Sequence, residues 1–166
     1  MKQFLYIILG SIIFINGCAY SFKGISIDYS KVQTFSLGEF PNNALNVVPT
    51  LSQDFITKMR DKIINDTRLD NVTANGDIQF NGEITGFDIT AVAPVEGETT
   101  QFNRLTIRIN VEYSNIADEK QNFKQSFSWR EDYSSTENLT DVQDDLIDVI
   151  LDQIAEDIFN KAFTNW

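Results

Sequence analysis

Histidine is absent from this chain, and cysteine occurs once, at Cys18. No imidazole is therefore available to act as a general base, to complete a Ser-His-Asp triad or to bind zinc. A single cysteine cannot form a disulfide within the chain, so the domain must be held together by its core. Basic residues are also scarce, because 13 Lys and Arg stand against 24 Asp and Glu, a formal net charge of -11. Such a chain repels nucleic-acid phosphates, which argues against nucleic acid as a partner.

The N-terminus has the layout of a signal peptide. Lys2 provides a positive start, Phe4 to Ile15 form a short apolar run, and Gly17 is a small residue directly before Cys18. The run is shorter than the roughly 18 to 20 apolar residues of a membrane-spanning helix. Its ending resembles a bacterial lipobox, which implies that residues 1–17 are removed and that Cys18 becomes an acylated N-terminus. The alternative is an ordinary signal peptide followed by a buried thiol.

Acylation of Cys18 sets the organisation of the remaining chain. We expect residues 1–17 to be the signal peptide, 18–31 a lipidated N-terminus and spacer, and 32–166 a single domain. An acylated thiol is neither a nucleophile nor a metal ligand, while several acyl chains give a stable membrane attachment. The residues directly after Cys18 include no acidic residue, unlike inner-membrane retention and surface-export signals of other lipoproteins. By that analogy we expect the periplasmic face of the outer membrane.

The first half of the domain predicts one strand and one helix. Val32 to Leu37 alternate weakly between apolar and polar residues, which favours a strand. A helix is predicted to begin at Thr50, where Thr50 and Gln53 fit a capping box. Its apolar residues recur at helical spacing and predict a core-facing stripe: Leu51, Phe55, Ile56, Met59, Ile63 and Ile64.

Three strands are predicted next. Ile78 to Thr90 changes its apolar face partway, and a bulge at Gly82 or Gly86 would explain the change. Arg104 to Tyr113 alternates regularly, and apolar residues recur at Phe123, Phe127, Trp129 and Tyr133. This patterning is typical of an antiparallel sheet with one buried and one wet face.

A long helix is predicted to end the chain, with a second capping box at Thr140 and Gln143. Its apolar face is broad enough to cover the sheet and the first helix together, or to contact another protein. Its acidic side is expected to face solvent: Asp144, Asp148, Asp152, Glu156 and Asp157. The fold class is then α+β, a mostly antiparallel four-stranded sheet packed against two helices in the order βαβββα. The faces expected to meet are Leu105, Ile107, Ile109, Phe127 and Trp129 with Phe55, Met59, Ile150 and Ile154.

Six short segments, in this order along the chain, are similar to those of one protein family. They are Tyr20-Ser21-Phe22, Phe40-Pro41-Asn42, Pro49-Thr50-Leu51-Ser52, Gly82-Glu83-Ile84-Thr85-Gly86, Asn103-Arg104-Leu105-Thr106-Ile107 and Asp157-Ile158-Phe159-Asn160-Lys161-Ala162. With the lipobox and the element order, they resemble the lipopolysaccharide-assembly lipoproteins (LptE-like). The resemblance implies a non-enzymatic subunit of the outer-membrane lipopolysaccharide translocon, without a cofactor. It would plug an LptD-like β-barrel partner from the periplasmic side, help to assemble it, and bind lipopolysaccharide.

Lipopolysaccharide carries phosphates, so its binding site should gather Arg and Lys side chains. If the turn between the last two strands centres near Asp118, Glu112 pairs with Lys124 and Arg104 pairs with Asp132. Arg108 and Arg130 are then less compensated, and we identify Arg108, Arg130 and Lys124 as the candidate ligand-binding residues. The alternative is ordinary cross-strand charge pairing, each pair worth roughly 0.2–1 kcal/mol.

Two further functional classes stay open on the sequence alone. The protein would be a carrier if an apolar ligand lay between its sheet and its helices. It would be a glycan-active enzyme if two of its many carboxylates formed a catalytic pair. Nothing in the spacing of Asp and Glu indicates such a pair, and no phosphate-binding glycine loop or nucleophile elbow is present. A metal cage is not expected either, because carboxylates on successive turns of one helix converge poorly.

Overall fold

The computed structural model describes residues 27–93 and 101–164. Cys18 and the proposed signal peptide therefore lie outside the described residues. Within these described residues, five strands and two helices follow one another, with a short 3-10 turn at Glu119–Gln121 between the last two strands. The elements are β1 Thr34–Leu37, α1 Leu51–Asp66, β2 Asp70–Asn71, β3 Ile78–Val92, β4 Phe102–Asn115, β5 Phe123–Ser134 and α2 Leu139–Phe163.

The strands form one mixed sheet in the order β2-β1-β3-β4-β5. β1 runs parallel to both β2 and β3, whereas β3, β4 and β5 pair antiparallel. The α+β class and the two helices are confirmed. The sheet, however, has five strands instead of the expected four, and it is mixed instead of mostly antiparallel. The parallel pairs arise because α1 carries the chain back to the end of the sheet where β1 began, which is how parallel strands are connected. β2 has only two residues, too few for any periodic pattern in the sequence.

The change of apolar face in β3 is caused by a bulge, as the sequence predicted. The pairing of β3 with β4 shifts between Ile84, which lies opposite Ile109, and Gly86, which lies opposite Arg108. The bulge keeps Phe87 on the same side of the sheet as Ile84, so both stay buried at 3% and 0% exposure. Of the two glycines proposed for this role, Gly86 is the one at the shift.

The core lies between the helices and one face of the sheet, which we call the apolar face. The predicted contact residues Phe55, Met59, Leu105, Ile107, Ile109, Ile150 and Ile154 are all buried there. Trp129 is an exception, because it is 38% exposed although it pairs with Ile107 on the same face. Trp129 lies in β5, the edge strand of the sheet, and no further strand among the described residues covers it.

The apolar stripes of both helices are wider than the surface that the fold buries. α2 packs against both the sheet and α1, which agrees with the first interpretation of its broad face. Ile64 and Val149 nevertheless remain 46% and 50% exposed. Ile27 and Tyr29, which the sequence analysis assigned to the spacer, also pack against the core.

Neither helix begins with the predicted capping box. Thr50 precedes α1 with helical dihedral angles, φ -84° and ψ -19°, and its side chain makes no capping hydrogen bond. α2 begins at Leu139 after Asn138, so the expected cap Thr140 lies inside the helix. The capping interpretation was wrong because Thr50 adopts helical instead of extended angles and because α2 begins earlier than predicted.

The acidic residues of α2 that were expected to face solvent include Asp148 and Asp152, which are exposed and also reach across to α1. Lys58 Nζ lies 2.6 Å from Asp148 Oδ1 and 2.9 Å from Asp152 Oδ1. One turn further along, Lys62 pairs with Glu156 and with Asp66 of its own helix. Partial burial disfavours the charge on Lys58, but its hydrogen bonds to the two aspartates outweigh burial and raise its pKa. The two lysines therefore hold the helices side by side.

Candidate anion-binding face of the sheet

The opposite side of the sheet, here called the polar face, presents hydrophilic side chains from three strands. Even-numbered residues of β4 and β5 point to this side, because side chains alternate along a strand. They run from Arg104 to Ser114 on β4 and from Lys124 to Ser134 on β5. Arg108, Lys124 and Arg130 are all exposed. The three candidate ligand-binding residues therefore share one solvent-facing surface.

Two of the predicted ion pairs on this face are present. Glu112 lies directly opposite Lys124, with 3.7 Å between Glu112 Oε2 and Lys124 Nζ. Arg104 lies opposite Asp132 and donates from Nε and Nη2 to the two carboxylate oxygens at 2.6 and 2.8 Å. This hydrogen bonding raises the pKa of Arg104 and lowers the pKa of Asp132. Arg104 is thus occupied within the sheet.

Arg108 has a carboxylate partner that the sequence did not reveal. Its Nη1 lies 3.7 Å from Asp88 Oδ2, and both side chains are about half exposed. Asp88 belongs to β3, beyond the bulge, so its position relative to β4 could not be read from alternation alone. The space for the guanidinium is left by Gly86, where an added Cβ would lie 2.7 Å from Arg108 Nη1. The expectation that Arg108 is poorly compensated is therefore corrected, since it has a loose ion pair.

Arg130 is the least compensated cation of the three. It lies opposite Thr106 on β4, and no carboxylate within the described part of the chain lies within 4 Å of it. Asp132 lies two residues further along the same strand, and its pKa is lowered first by the hydrogen bond from Arg104 and to a smaller extent by the charge of Arg130. Arg130 therefore offers a free guanidinium fork to solvent.

The register brings two of the candidate residues together and separates the third. Arg108 pairs with Ser128, which makes Arg130 its diagonal neighbour, about 7–8 Å away. Lys124 is four residues from Ser128 along β5, or roughly 13 Å at the usual rise of a strand. Two guanidinium groups at the diagonal spacing, with the hydroxyl of Ser128 beside them, are hydrogen-bond donors of the kind that phosphate oxygens accept from. Lys124 is too distant to share the same phosphate.

Two cavities in the described residues have charged or mixed walls, unlike the apolar pocket of a carrier. One of them, about 500 Å³, lies between the helices and is open to solvent. Its walls include Asp54, Asp61, Asp144 and Asp148 beside Lys58. A smaller cavity of about 170 Å³ has both polar and apolar walls. Within residues 27–93 and 101–164, no group of three or more acidic residues is arranged to hold a metal ion.

The sequence matches a family model over residues 32–162, and the family is described as lipopolysaccharide-assembly (LptE). The chain belongs to the LptE family. This match covers most of the chain and coincides with the folded domain, so the resemblance drawn from the short segments is confirmed. The LptE family is a non-enzymatic lipoprotein family, and this member is accordingly not an enzyme. A search among curated proteins found no relative.

Several solved structures are similar to this LptE-family chain. A hypothetical protein from Chlamydia trachomatis shares 9% identity at a TM-score of 0.50, covering 78% of this chain and 95% of its own. A minor lipoprotein from Acinetobacter baumannii shares 11% identity at a TM-score of 0.49, with 80% and 97% covered. The rare lipoprotein B from Shewanella oneidensis shares 11% identity at a TM-score of 0.49, with 75% and 91% covered. At such low identity the likeness to the Chlamydia trachomatis protein concerns the fold alone.

Neither helix of this LptE-family domain is suited to spanning a bilayer. In the part of the chain that the structure describes, no helix combines the length and the apolar character that a crossing requires. α2 is the longer helix, with 25 residues, but acidic residues recur along it.

Proposed function

We propose that this protein is a lipid-anchored subunit of the outer-membrane lipopolysaccharide translocon, which fills and helps to assemble an LptD-like β-barrel. Membership of the LptE family over residues 32–162 is the observation that carries the proposal. The anchor is Cys18, and the attachment is to the periplasmic face of the outer membrane. The protein acts through contact surfaces and not through catalysis.

A compact domain is well suited to occupy the interior of a larger protein. Its aromatic core is continuous from the sheet to α2, because Phe80, Tyr113 and Phe163 pack with ring centroids 5.1 to 6.3 Å apart. Such a core resists deformation when a partner surrounds the domain. Binding to the barrel is then expected to depend on a few aromatic or arginine side chains at the surface.

Direct contact with lipopolysaccharide is assigned to Arg108 and Arg130. Phosphate groups of the ligand accept hydrogen bonds from the free fork of Arg130 and from Arg108 after its loose pair with Asp88 opens. Lys124 contributes a separate charge on the same face. The overall charge of -11 opposes anion binding at long range, so the contact must be local or bridged by divalent cations.

Depletion of the protein tests the translocon role. We expect less correctly assembled barrel and less lipopolysaccharide at the cell surface, and we expect the barrel to co-purify with the lipoprotein in mild detergent. No single Asp or Glu substitution should abolish this activity. Normal barrel assembly and normal surface lipopolysaccharide after complete depletion would refute the role.

A pair of charge reversals separates the two activities. Arg108→Glu with Arg130→Glu should abolish lipopolysaccharide binding and leave the barrel complex intact. The matched control is Arg60→Glu with Lys120→Glu, which changes the net charge equally but lies on α1 and on the turn before β5. Equal loss of binding in both double variants would mean that total charge, and not the polar face, governs the interaction.

The anchor is tested by intact mass of the protein extracted from membranes. Acylated Cys18 at the N-terminus is expected, and Cys18→Ala should release a folded domain from the membrane. A mature N-terminus elsewhere, or an unmodified thiol, would contradict this part of the proposal.

A further inference from the structure

Arg108 has two diagonal neighbours of opposite charge on the polar face. It pairs directly with Gly86 on β3 and with Ser128 on β5. Two residues further along these strands lie Asp88 on one side and Arg130 on the other. Diagonal neighbours on one face of a sheet are within reach of a long side chain. The side chain of Arg108 can therefore extend toward either strand.

In this structure the guanidinium of Arg108 lies on the β3 side. Its Nη1 is 3.7 Å from Asp88 Oδ2. A Cβ added at Gly86 would lie 2.7 Å from the same nitrogen, so the end of the side chain rests directly over the glycine. β5 is the neighbour of β4 on the opposite side. The Arg108 guanidinium is therefore turned away from the strand that carries Arg130.

The contact that holds Arg108 in this position is a loose one. It is a single approach of 3.7 Å between two half-exposed side chains, and exposed ion pairs of this kind contribute little to stability. Arg104, by contrast, donates two hydrogen bonds of 2.6 and 2.8 Å to Asp132. A phosphate carries more charge than a carboxylate and has three acceptor oxygens. It is therefore a better partner for Arg108 than Asp88 is.

We propose that Asp88 is an internal competitor of the ligand's phosphate for Arg108. With Asp88 as its partner, the guanidinium rests over Gly86. When a phosphate binds at Arg130, the guanidinium leaves Asp88, crosses to the β5 side and shares that phosphate. When the phosphate leaves, Asp88 binds Arg108 again, which keeps the contact weak and reversible, as a protein that passes its ligand on requires. This inference rests on the contact between lipopolysaccharide and the two arginines proposed above.

The alternative role for Asp88 is to position Arg108 for the ligand. A carboxylate with that role would hold the guanidinium toward Arg130, whereas Asp88 holds it toward β3. Asp88 also places a negative charge beside a site for an anion, and this charge repels a bound phosphate. Competition for Arg108 and repulsion of the phosphate both lower the affinity, so removal of the Asp88 charge should raise it.

Binding of inorganic phosphate to the mature lipoprotein in mild detergent tests the proposal, with the Nε–H signals of Arg108 and Arg130 followed by NMR. Asp88→Asn should lower the phosphate dissociation constant about three- to fivefold, the size expected for the loss of an exposed competing ion pair. The matched control is Glu112→Gln, which removes the same charge from the other 3.7 Å ion pair of the polar face. Its partner Lys124 is too distant to share the phosphate, so the dissociation constant should change by less than about twofold.

Gly86→Ala tests the position of the guanidinium without any change of charge. The new Cβ would occupy the space over which the guanidinium rests, 2.7 Å from Arg108 Nη1 and 3.1 Å from Asp88 Oδ2. Displaced from β3, Arg108 should reach the β5 side more readily, and the phosphate dissociation constant should fall about threefold. Before phosphate is added, both Asp88→Asn and Gly86→Ala should shift the Nε–H signal of Arg108. The signal of Arg104, which Asp132 holds, should stay unchanged.

Three outcomes would overturn the competitor role and leave the phosphate contact itself intact. Weaker phosphate binding by Asp88→Asn would mean that Asp88 positions Arg108 for the ligand. An unchanged dissociation constant would mean that the pair has no influence on binding. Equal tightening by Asp88→Asn and Glu112→Gln would mean that total charge governs the affinity. If neither the unsubstituted protein nor any variant bound phosphate, the proposed contact would fail together with the competitor, while the translocon role is tested separately by depletion.

Discussion

Arg104 and Asp132 face each other across β4 and β5 and form a two-pronged ion pair, with donor-acceptor distances of 2.6 and 2.8 Å. The pair is important because it removes one arginine from the cations that a phosphate could use. Arg108 has only a 3.7 Å contact with Asp88, and Arg130 has no carboxylate partner in the described part of the chain. Fewer cations are therefore available to a phosphate than the number of basic residues on the polar face suggests.

Truncation of Ile107 should strongly destabilise the domain. Ile107 is fully buried in the middle of β4, between Phe87 on β3 and Trp129 on β5. Ile107→Ala should lower the free energy of unfolding by about 2–5 kcal/mol, as measured by chemical denaturation. Ile89→Ala is the control, because Ile89 lies on the same face but is 42% exposed, and its loss should be smaller. Equal effects of the two substitutions would mean that the core is assigned wrongly.

Gly82 should not tolerate a side chain. An added Cβ would lie 2.0 Å from the backbone oxygen of Asn110 and 2.7 Å from Phe40 Cε1, so both a strand and a buried ring would have to move. Gly82→Ala should lower the free energy of unfolding by about 1–3 kcal/mol. At Gly86 the nearest atom is the flexible end of Arg108, so Gly86→Ala should cost less. Thermal unfolding of the two variants checks the order, and a reversed order would contradict the packing at Phe40.

Asp77 should make the domain sensitive to acid. Its Oδ2 accepts hydrogen bonds from the backbone N–H of Gln33 and from the N–H and hydroxyl of Thr34, at 2.9 to 3.0 Å. These bonds lower the pKa of Asp77 below 3.8, so the stabilisation is complete above that pH and is lost as the pH falls through the lowered value. Asp77→Asn should reduce stability at neutral pH and flatten its decline in acid. Denaturation curves from pH 6 down to about pH 2 measure both effects, and an unchanged acid decline would exclude Asp77 as its source.

Removal of the Tyr113 hydroxyl should be tolerated. The oxygen is buried, and no atom of the described residues is placed to hydrogen-bond it. Burial raises the pKa of Tyr113 to about 12, and the nearby side chain of Asn115 lowers it in part. Tyr113→Phe keeps the ring stacked on Phe123, 5.1 Å away, and removes an unsatisfied polar atom. The free energy of unfolding should therefore stay equal or rise by about 1 kcal/mol. A loss above that amount would show that the hydroxyl has a partner.

Local periodicity was sufficient to predict most of the elements. The alternation in β4, the helical stripe of α1 and the change of face in β3 each reflect a pattern within one segment, and each is present in the fold. The pairing of Glu112 with Lys124 also followed from the position of the turn at Asp118, because a hairpin register depends on its loop.

What the sequence did not predict depends on contacts between distant segments. β2 is too short to have a pattern, and the parallel pairing of β1 depends on the path of α1 over the sheet. The partner of Arg108 lies on β3, beyond the bulge, and the exposure of Trp129 depends on β5 being the last strand. Each of these follows from the order of strands, which no single segment encodes.

The bulge gives β3 one more residue than its pairing with β4 requires. β3 has 15 residues, β4 has 14, and Thr85 lies where two residues of β3 oppose one of β4. Deleting Thr85 would leave a regular strand in which every apolar residue keeps its side of the sheet. Deleting one residue elsewhere in β3 would turn the side chains beyond it to the wrong side. Length variation in this strand should therefore be tolerated at Thr85 and at few other positions, which makes the bulge a natural place for homologous chains to differ by one residue.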